Sequence, residues 1–478
     1  MHLNLDGNGP IYAQLTRALR HAISSGHLRN GERLPPTRAL ARTLRVSRTT
    51  IVGAYAQLSD EGLIRARVGS GSYVHAPVGA PVSVKRRREV AAQTSFSRRA
   101  RSLWSAETRD DLAHAYRYDL RVRSEEMGAT PLARRPVAIR GLAHVRVGNH
   151  DLQGLRTLRE AICRYLALHR AVHCSPDDIL IVNSTRHALD LTARVLLEPG
   201  AAVAIEDPCC FRLRHLLLLH GARIATMAVD EQGASLAQVE AMHAQLICVT
   251  PSCQFPTGAV LTAPRRAALV AMAERDSSWI FEMEGDHADR PRDAAPAVYS
   301  MDGHDRTLYV GGFPRTLCPG LHVGYMVVPG ALKEDFLAAK WAADLNPAPH
   351  AQLALAEMLR NGTFVRQLHL HARTLAERRA HLAALLGRVL AGRCRLAHTD
   401  AGGSCLVVWL DGTSALQIDR LVDVAATRGL GLTAARHFFA DGSGRAGLVL
   451  ATGSLALDRM DAAVSLLRDC LEDATPGP

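Results

Sequence analysis

Seven short apolar runs, rich in β-forming residues, recur between residues 148 and 329 with helical segments between them. Strands that alternate with helices pack as a mainly parallel sheet with helices on both faces. After Pro329 the pattern changes to long helices, which are followed by the runs CLVVWL and GLVLA. We therefore predict a large α/β part with a seven-stranded sheet over about 147–330 and a smaller α+β part over about 331–478. The seven runs are DILIVN, AAVAIE, ARIATM, QLICVT, WIFEM, TLYVG and YMVVP.

Positive charge is concentrated at the N-terminal end of the chain. Residues 1–101 contain 17 Arg or Lys and five Asp or Glu, a balance of +12, whereas the other residues contain 40 and 41, a balance of −1. A neutral body with a basic head indicates a polyanionic partner that is bound through the head. Charge alone leaves a solvated basic surface as the alternative.

Neither a membrane span nor a disulfide framework is expected. No apolar run approaches the roughly 20 residues that cross a bilayer, and the N-terminus lacks the layout of a signal peptide. The ten cysteines show no CxxC pair or regular spacing, so most are expected to be small buried hydrophobic residues. We therefore expect a cytoplasmic protein without a metal site.

The first 75 residues have the pattern of a DNA-binding domain. An amphipathic segment begins after Pro10, and two short helical segments follow, with Thr37 and Ser47 at positions suited to helix caps. The two segments are joined by a tight turn at Arg45 and Val46. This arrangement predicts a helix-turn-helix, whose second helix enters a DNA major groove. The run LIRARVGSGSYV alternates about a glycine-rich turn and predicts a hairpin wing. Tyr55 is expected to pack in the core of this domain.

Residues 34–74 resemble, without gaps, the winged helix-turn-helix of GntR-type bacterial repressors. The resemblance assigns residues 1–75 to this domain and implies a double-stranded DNA operator as partner. The DNA-binding positions that it implies are Arg38, Ser47, Arg48, Thr49, Thr50, Arg67, Gly69 and Ser70. For each of them the alternative is a capping or solvated surface role.

A proline- and glycine-containing segment with a basic run follows at residues 76–113. No sustained apolar periodicity is visible there, which predicts a flexible, positively charged linker. It either adds nonspecific phosphate contacts or is charged only to remain soluble.

Five motifs occur in order in residues 114–478: NHDLQGLRTLREAICRYL, NSTRHALDLTARVLLEPG, EDPCCF, TPSCQFPTG and YVGGFPRTLCPGLHVGY. With these motifs, the segment resembles the fold-type I aminotransferase domain of the MocR branch of GntR regulators. This resemblance implies a sensor body that dimerises with a second copy, because in that fold the pocket is built from both subunits, and it implies pyridoxal phosphate as the family cofactor.

The chain departs from the family pattern where the cofactor chemistry would lie. Arg315 stands at the position of the lysine that would bind the cofactor covalently, and the chain has only three lysines, Lys85, Lys333 and Lys340. A Schiff base requires a primary amine, which a guanidinium cannot supply. Covalent cofactor binding is therefore not expected.

Other cofactor contacts are also replaced. Met283 stands where an Asp would hold the pyridine nitrogen, Gly285 where a Tyr would contact the ring hydroxyl, Cys210 where an aromatic ring would stack, Pro314 where a hydroxyl would precede the lysine, and His322 where an Arg would hold the phosphate. Glu284 and Asp286 would point to the other side of a strand. The resulting degenerate pocket comprises Ser184, Thr185, Cys210, Cys253, Met283, Gly285, Arg315 and His322.

The leading hypothesis is a sequence-specific transcriptional regulator whose aminotransferase-like body is catalytically inactive and senses a small ligand. Arg315 and the turn at Ser184 and Thr185 favour an anionic ligand. The alternative is an aminotransferase-like protein that binds pyridoxal phosphate noncovalently and keeps some activity, with Lys333 and Lys340 as residues to test for a covalent label. A third hypothesis makes the body a purely structural dimerisation platform.

One further hypothesis concerns sulfur. Cys210, Cys253 and Cys318, with His287 and His322, belong to motifs around one pocket of the resembled fold, which would suit a thiol or soft-metal sensor. Cysteines that fill the space of a lost cofactor are the alternative.

Overall fold

The computed structural model describes residues 6–67, 70–75, 94–104, 116–122, 151–237, 239, 242–284, 295–313, 322–344, 348–397, 403–442 and 446–474. The chain divides into two compact units, Met1–Ala92 and Gln93–Pro478. We call them the head and the body and describe each by itself.

The head consists of three helices and a hairpin, as the sequence pattern predicts. Leu15, Leu19, Ile51 and Leu58 are buried between the helices, so the apolar stripes of the sequence form one core. Tyr55 is buried with them, and its hydroxyl donates to the carbonyl of Pro35. The elements are α1 Ile11–Ser24, α2 Thr37–Leu44, α3 Arg48–Asp60, β1 Ile64–Arg67 and β2 Gly71–Val74.

The predicted flexible linker contains a helix. Helix α4, Ser95–Leu103, begins after Thr94, whose hydroxyl accepts the amide of Ser97. This helix belongs to the body unit, where Nε of Arg99 donates to the carbonyl of Leu219. The sequence-based description of residues 76–113 as flexible throughout is therefore wrong for residues 95–103.

The body is built on an eight-stranded sheet. Its spatial order is β4-β11-β10-β9-β8-β5-β6-β7, and the strands β5, β6, β8, β9 and β10 pair in parallel with their neighbours in that group. The seven predicted strands are present, and the additional one is the two-residue edge strand β7, which is too short to give an apolar run. The strands are β4 Ile179–Val182, β5 Ala202–Asp207, β6 Arg223–Asp230, β7 Gly233–Ala234, β8 Leu246–Val249, β9 Trp279–Met283, β10 Thr307–Gly312 and β11 Gly324–Val327.

Helices cover both faces of this sheet. One face packs on Leu189, Leu217 and Phe336, and the other packs on Leu166 and Leu269, all of them buried. The helices are α5 Arg156–Arg170, α6 Thr185–Leu196, α7 Phe211–His220, α8 Ala263–Arg275, α9 Val298–Met301, α10 Lys333–Ala343 and α11 Pro349–Arg360, with 3-10 turns at Pro176–Asp178 and Gly330–Leu332.

The C-terminal part is a smaller α+β layer, as predicted, around the four-stranded sheet β12-β13-β16-β15. The short strand β3 pairs in parallel with β14, so a segment from the start of the body joins this part. The elements are β3 Tyr118–Asp119, α12 Thr363–Val389, β12 Cys394–Ala397, β13 Cys405–Leu410, α13 Ala415–Thr427, β14 Leu430–Gly431, β15 Thr433–Ala434, β16 Gly447–Ala451 and α14 Leu457–Ala474, with a 3-10 turn at Ala435–Phe438.

The border between the two parts of the body lies within α12 and not near residue 331. Phe364 and Leu368, early in this 27-residue helix, belong to the core of the large sheet. Leu382 and Leu386, three and more turns later, belong to the core of the small sheet. The sequence prediction missed this border because one uninterrupted amphipathic helix serves both cores.

Among the residues that the structure describes, no helix combines the length and the apolar character needed to span a bilayer.

Candidate functional site: the recognition helix and the edge of the large sheet

The start of α3 is held by a hydroxyl network. Ser47 caps the helix, and its Oγ accepts the amide of Thr50 at 3.1 Å. The same oxygen lies 2.8 Å from Oγ1 of Thr49 and 2.7 Å from Oγ1 of Thr50. Because these hydroxyls hold one another, the first turn of the helix is pre-formed, with Arg48 and Thr49 exposed on it.

Exposed arginines also lie on the neighbouring elements of the head. Arg38 on α2 is exposed, and Arg45 ends that helix in a left-handed conformation with φ 52°. On the wing, the guanidinium of Arg67 lies 4.9 Å from the ring centre of Tyr73, and Ser70 is half-buried at the turn. The predicted DNA-contacting residues that the structure describes thus lie on α2, on α3 with its cap, and on the hairpin of β1 and β2. Gly69 lies outside the described residues.

Topology brings the described residues of the predicted pocket to one edge of the large sheet. The strands β4, β5, β8 and β9 run in one direction, and the residues after their carboxyl ends are Ser184, Cys210, Cys253 and, as the last of its strand, Met283. The strand β11 runs the other way, so the exposed His322 before it lies at the same edge. Binding sites of open α/β sheets lie at such an edge.

Helix α6 points its N-terminus at this edge. The hydroxyl of Ser184 caps the helix by accepting the amide of His187 at 3.2 Å. A Cβ on Gly312 would lie 3.3 Å from Cγ2 of Thr185, and one on Gly324 would lie 3.2 Å from the carbonyl carbon of Ser184. The glycines of β10 and β11 therefore allow the sheet to approach this turn closely, and the first amides of α6 require acceptors from outside the helix.

One face of β9 carries an apolar side chain and the other carries carboxylates. Met283 packs with the apolar side chains below α6 and α7. Glu282 points to the other face, where its carboxylate accepts the amides of Val298 at 2.9 Å and Tyr299 at 2.7 Å. Burial raises the pKa of Glu282 to about 7.

Glu284 lies on the same face as Glu282. Its carboxylate accepts the hydroxyl of Ser252 at 3.1 Å and lies 3.6 Å from Nε of Arg170, whose side chain is 4% exposed. Tyr309 adds its hydroxyl at 3.4 Å. The expectation that Glu284 points away from the position of Met283 agrees with this geometry.

The turns that carry Cys210 and Cys253 are anchored to the small part of the body. The amide of Cys209 donates to the carbonyl of Phe438 at 2.9 Å, and a Cβ on Gly403 would lie 3.2 Å from Sγ of Cys253. Cys210 is half-buried, whereas Cys253 is buried, and that burial raises the pKa of its thiol to about 11.

Two polar clusters at this edge were not predicted from the sequence. Lys340, fully buried on α10, donates to Asp344 at 2.7 Å, and the amide side chain of Asn183 donates to the same carboxylate at 2.6 Å. The second cluster is Arg170 with Glu284, described above. Arg170 with Glu284, and Asn183 with Asp344, join positions that are more than 100 residues apart, which no local pattern indicates. The i,i+4 spacing of Lys340 and Asp344 and the apolar run that ends at Glu284 were the available signals.

Several predicted positions lie outside the described residues. Gly285 and Arg315 of the predicted pocket are among them, and so are Pro314, Cys318, His287 and Asp286. Within the part of the chain that is described, no group of three or more His, Cys, Asp or Glu side chains could hold a metal ion.

Comparison with known families agrees with the two-unit architecture. The family described as "Bacterial regulatory proteins, gntR family" matches residues 11–74. The family described as "Aminotransferase class I and II" matches residues 133–457. A GntR helix-turn-helix domain implies DNA binding.

Solved aminotransferases share the fold of the body. A kynurenine aminotransferase of Pyrococcus horikoshii superposes with a TM-score of 0.70 at 19% identity, over 80% of this chain and 98% of that one. The α-aminoadipate aminotransferase LysN of Thermus thermophilus gives a TM-score of 0.68 at 24% identity, over 79% and 97%. The fold-type I aminotransferase architecture of the body is thereby confirmed.

Similar regulators match along nearly the whole chain. The pyridoxine biosynthesis transcriptional regulator PdxR of Corynebacterium glutamicum is 27% identical over 93% of this chain and 92% of its own length. A probable rhizopine catabolism regulatory protein, MocR, of Rhizobium meliloti is 32% identical over 91% of this chain and 89% of its own length. The chain therefore belongs to the GntR family of bacterial transcriptional regulators, within the MocR-type group that carries a class I and II aminotransferase domain.

Proposed function

We propose that this protein is a sequence-specific transcriptional regulator whose body binds a small anion and does not catalyse transamination. The observation that carries the proposal is the face of β9 that holds Met283. The resemblance assigns an acid to this position, and the neighbouring acids Glu282 and Glu284 are engaged on the opposite face. A thioether cannot hold a pyridinium nitrogen, which this chemistry needs as its electron sink.

The described residues fit one part of pyridoxal phosphate and not the other. The N-terminus of α6, with Ser184 and Thr185, offers amides and a hydroxyl to a phosphate. Met283 and Cys210 offer neither an acid to the pyridine nitrogen nor an aromatic ring to stack on it. The described residues would therefore hold a phosphate group but would not support the electron-sink chemistry of the pyridine ring.

The retained features suit a ligand with a phosphate or carboxylate group. Helix N-termini attract anions because their amides and the helix dipole point outward. Arg315, which the resemblance places in the same pocket, would add a cation of fixed charge. An anionic effector of this kind is the ligand that we propose, together with a homodimeric state in solution.

The DNA-binding surface that we propose begins with Arg48 and Thr49. Both are exposed on the first turn of α3, which Ser47 and Thr50 hold in place. Arg38, Arg67, Gly69 and Ser70 complete the proposed surface. Arginine in a major groove reads guanine, and each such contact contributes about 1–3 kcal/mol of discrimination.

A cofactor titration tests the sensor half of the proposal. Visible spectra of the full-length protein would be recorded with and without pyridoxal phosphate, followed by borohydride reduction and peptide mapping. We expect no covalent label in the native chain and a label at position 315 in Arg315→Lys. A label on the native protein, with turnover of an amino acid, would contradict the proposal.

An operator-binding assay tests the regulator half independently. The operator would be selected from random double-stranded DNA with the full-length protein. We expect Arg48→Ala to lose about 1–3 kcal/mol of specific binding, whereas Arg17→Ala should bind normally, because Arg17 is paired with Asp6. Equal affinities for the native chain and Arg48→Ala would count against the assignment of the recognition helix.

One observation favours the enzyme alternative, in which the cofactor is retained and some activity remains. Lys340 is buried, burial lowers its pKa, and a desolvated amine of this kind can be a nucleophile. Lys333 is the other lysine of the body. A borohydride-trapped label at Lys340 that is lost in Lys340→Met would support this alternative. The absence of a label at Lys340 would count against it.

A further inference from the structure

Two cysteines away from the sheet edge face each other. Cys163 lies on α5, Cys174 lies between that helix and β4, and their Sγ atoms are hydrogen-bonded at 3.8 Å. Both are free thiols and both are half-buried. Cys253, in contrast, is buried, with its sulfur beside Gly403.

We propose that Cys163 and Cys174 form a reversible disulfide when the protein meets a peroxide, which makes them a redox-modification site in the body of this regulator. Formation of this disulfide does not require a ligand at the sheet edge. Disulfides of proteins in a reducing compartment are usually transient and redox-sensing.

The fold holds the two sulfurs in proximity. The chain leaves α5 through Ala171 in a left-handed conformation, and the amide of Val172 donates back to the carbonyl of Leu166. The hydroxyl of Ser300 donates to the carbonyl of Ala171 at 2.9 Å and so ties this return to α9. The segment that carries Cys174 is therefore fixed beside α5, and the two sulfurs must approach from 3.8 Å to about 2.0 Å for the bond to close.

Electrostatics assign different roles to the two thiols. The hydrogen bond from Cys174 lowers the pKa of the Cys163 thiol, whereas the same bond and burial raise the pKa of Cys174. The charged groups that act on Cys163 are Asp178, Arg159 and Glu160. Cys163 is therefore the thiol that reacts first, since the thiolate is the nucleophile.

The reaction balances with one peroxide. The Cys163 thiolate attacks a peroxide oxygen, the O–O bond breaks, and the products are a sulfenic acid on Cys163 and, after proton uptake, water. The sulfur of Cys174 then attacks the sulfur of Cys163, the S–O bond breaks, and a second water leaves with the thiol proton. Two thiols and hydrogen peroxide thus give one disulfide and two waters, and the two electrons that the sulfurs lose reduce the peroxide.

The covalent loop that a Cys163–Cys174 disulfide would close contains Arg170. Arg170 is the last residue of α5 and lies 3.6 Å from Glu284, beside the end of β9. Oxidation therefore restrains the backbone segment that places this buried cation behind the sheet edge. We expect slower amide hydrogen exchange over residues 164–175 in the oxidised protein.

Peptide mapping of the full-length protein tests the proposal. The reduced protein would be treated with one equivalent of hydrogen peroxide, its remaining thiols blocked with a maleimide, and the chain cleaved by trypsin without reduction. Cleavage after arginine places Cys163 in residues 160–164 and Cys174 in residues 171–186. We expect these two peptides joined and lighter by two hydrogens, a signal that dithiothreitol abolishes, and a rise of about 3 °C in the melting temperature of the body.

Single variants separate this site from general thiol oxidation. Cys174→Ser should leave a sulfenic acid on Cys163 that dimedone traps, and Cys163→Ser should leave Cys174 reduced. Cys394→Ser is the matched control, because Cys394 is also half-buried but its thiol donates to the carbonyl of Leu386. Maleimide labelling of both Cys163 and Cys174 after other cysteines have oxidised, or a cross-link to a different cysteine, would overturn the proposal.

Discussion

The buried ion pair of Lys340 and Asp344 gives an asymmetric prediction for stability. Removal of Asp344 leaves the ammonium of Lys340 in a fully buried position with no carboxylate, and loss of one partner of a buried pair costs about 3–5 kcal/mol. Deprotonation of Lys340 limits that cost. Neutralising an amine whose pKa in the unfolded chain is about 10.4 costs about 1.4 × 3.4, or about 5 kcal/mol, at pH 7. We expect Asp344→Ala to lower the free energy of unfolding by about 3–5 kcal/mol.

Removal of Lys340, in contrast, should change the free energy of unfolding little. Lys340→Met fills the same space without charge, and Asp344, whose side chain is 18% exposed, keeps its hydrogen bond from Asn183. Loss of one partner of a buried pair is costly where the remaining charge stays buried and uncompensated, whereas the carboxylate of Asp344 is partly exposed and retains its hydrogen bond from Asn183. We expect a change within about 1 kcal/mol, and the double variant should recover most of the loss seen in Asp344→Ala.

Urea unfolding of the four proteins over a range of pH checks this reasoning. Burial lowers the pKa of Lys340, so the unfolded chain binds more protons between the folded and unfolded pKa values, and stability rises with pH in that window. The loss in Asp344→Ala should therefore shrink as the pH rises towards about 10. A double variant as unstable as Asp344→Ala, or a loss that does not change with pH, would refute the assignment to an uncompensated charge.

Three further predictions concern other parts of the chain. Ser47→Ala removes the cap of α3 and should destabilise the head by about 1 kcal/mol, measured by thermal unfolding, with an unchanged melting of the body. Gly311→Ala places a Cβ 2.2 Å from the hydroxyl of Tyr325 and should cost about 1–3 kcal/mol, whereas Gly387→Ala meets no atom within 4 Å and should be neutral or stabilising. Burial raises the pKa of Glu206 to about 7, so this group favours folding at low pH and loses that contribution as the pH rises to 7. The native chain should be about 2 kcal/mol less stable at about pH 8 than at about pH 5.5 through this residue, and Glu206→Gln should lack this part of the pH dependence in urea unfolding.

The head could be predicted almost completely because its signals are local. The cap at Ser47, the apolar positions Ile51 and Leu58, and the glycine turn of the wing each specify an element within a few residues of themselves. The seven longer strands of the large sheet were also predictable, since each is a separate apolar run. Local propensity and tertiary structure agree there, which is the condition under which sequence patterns succeed.

The parts that the sequence did not predict depend on distant partners. Helix α4 has a basic, weakly apolar sequence, and Arg99 finds its acceptor at Leu219, more than 100 residues away. The border within α12 was invisible for a related reason: the helix has one continuous apolar pattern, and only the fold decides that Phe364 and Leu386 serve different cores. The pairing of Cys163 with Cys174 was within reach of the sequence but carries no motif.

The register of β9 explains why the acids near the pocket cannot replace the missing one. A shift by one residue would bring Glu282 or Glu284 to the face of Met283, but it would break the two amide bonds that Glu282 accepts and the contacts of Glu284 with Ser252 and Arg170. A new acid on the correct face is therefore required. We expect Met283→Asp combined with Arg315→Lys to bind pyridoxal phosphate at least 10-fold more tightly than Arg315→Lys alone, because about 1.4 kcal/mol from one charge-assisted hydrogen bond suffices for that ratio. Equal affinities in a spectroscopic titration would mean that Met283 does not face the cofactor position.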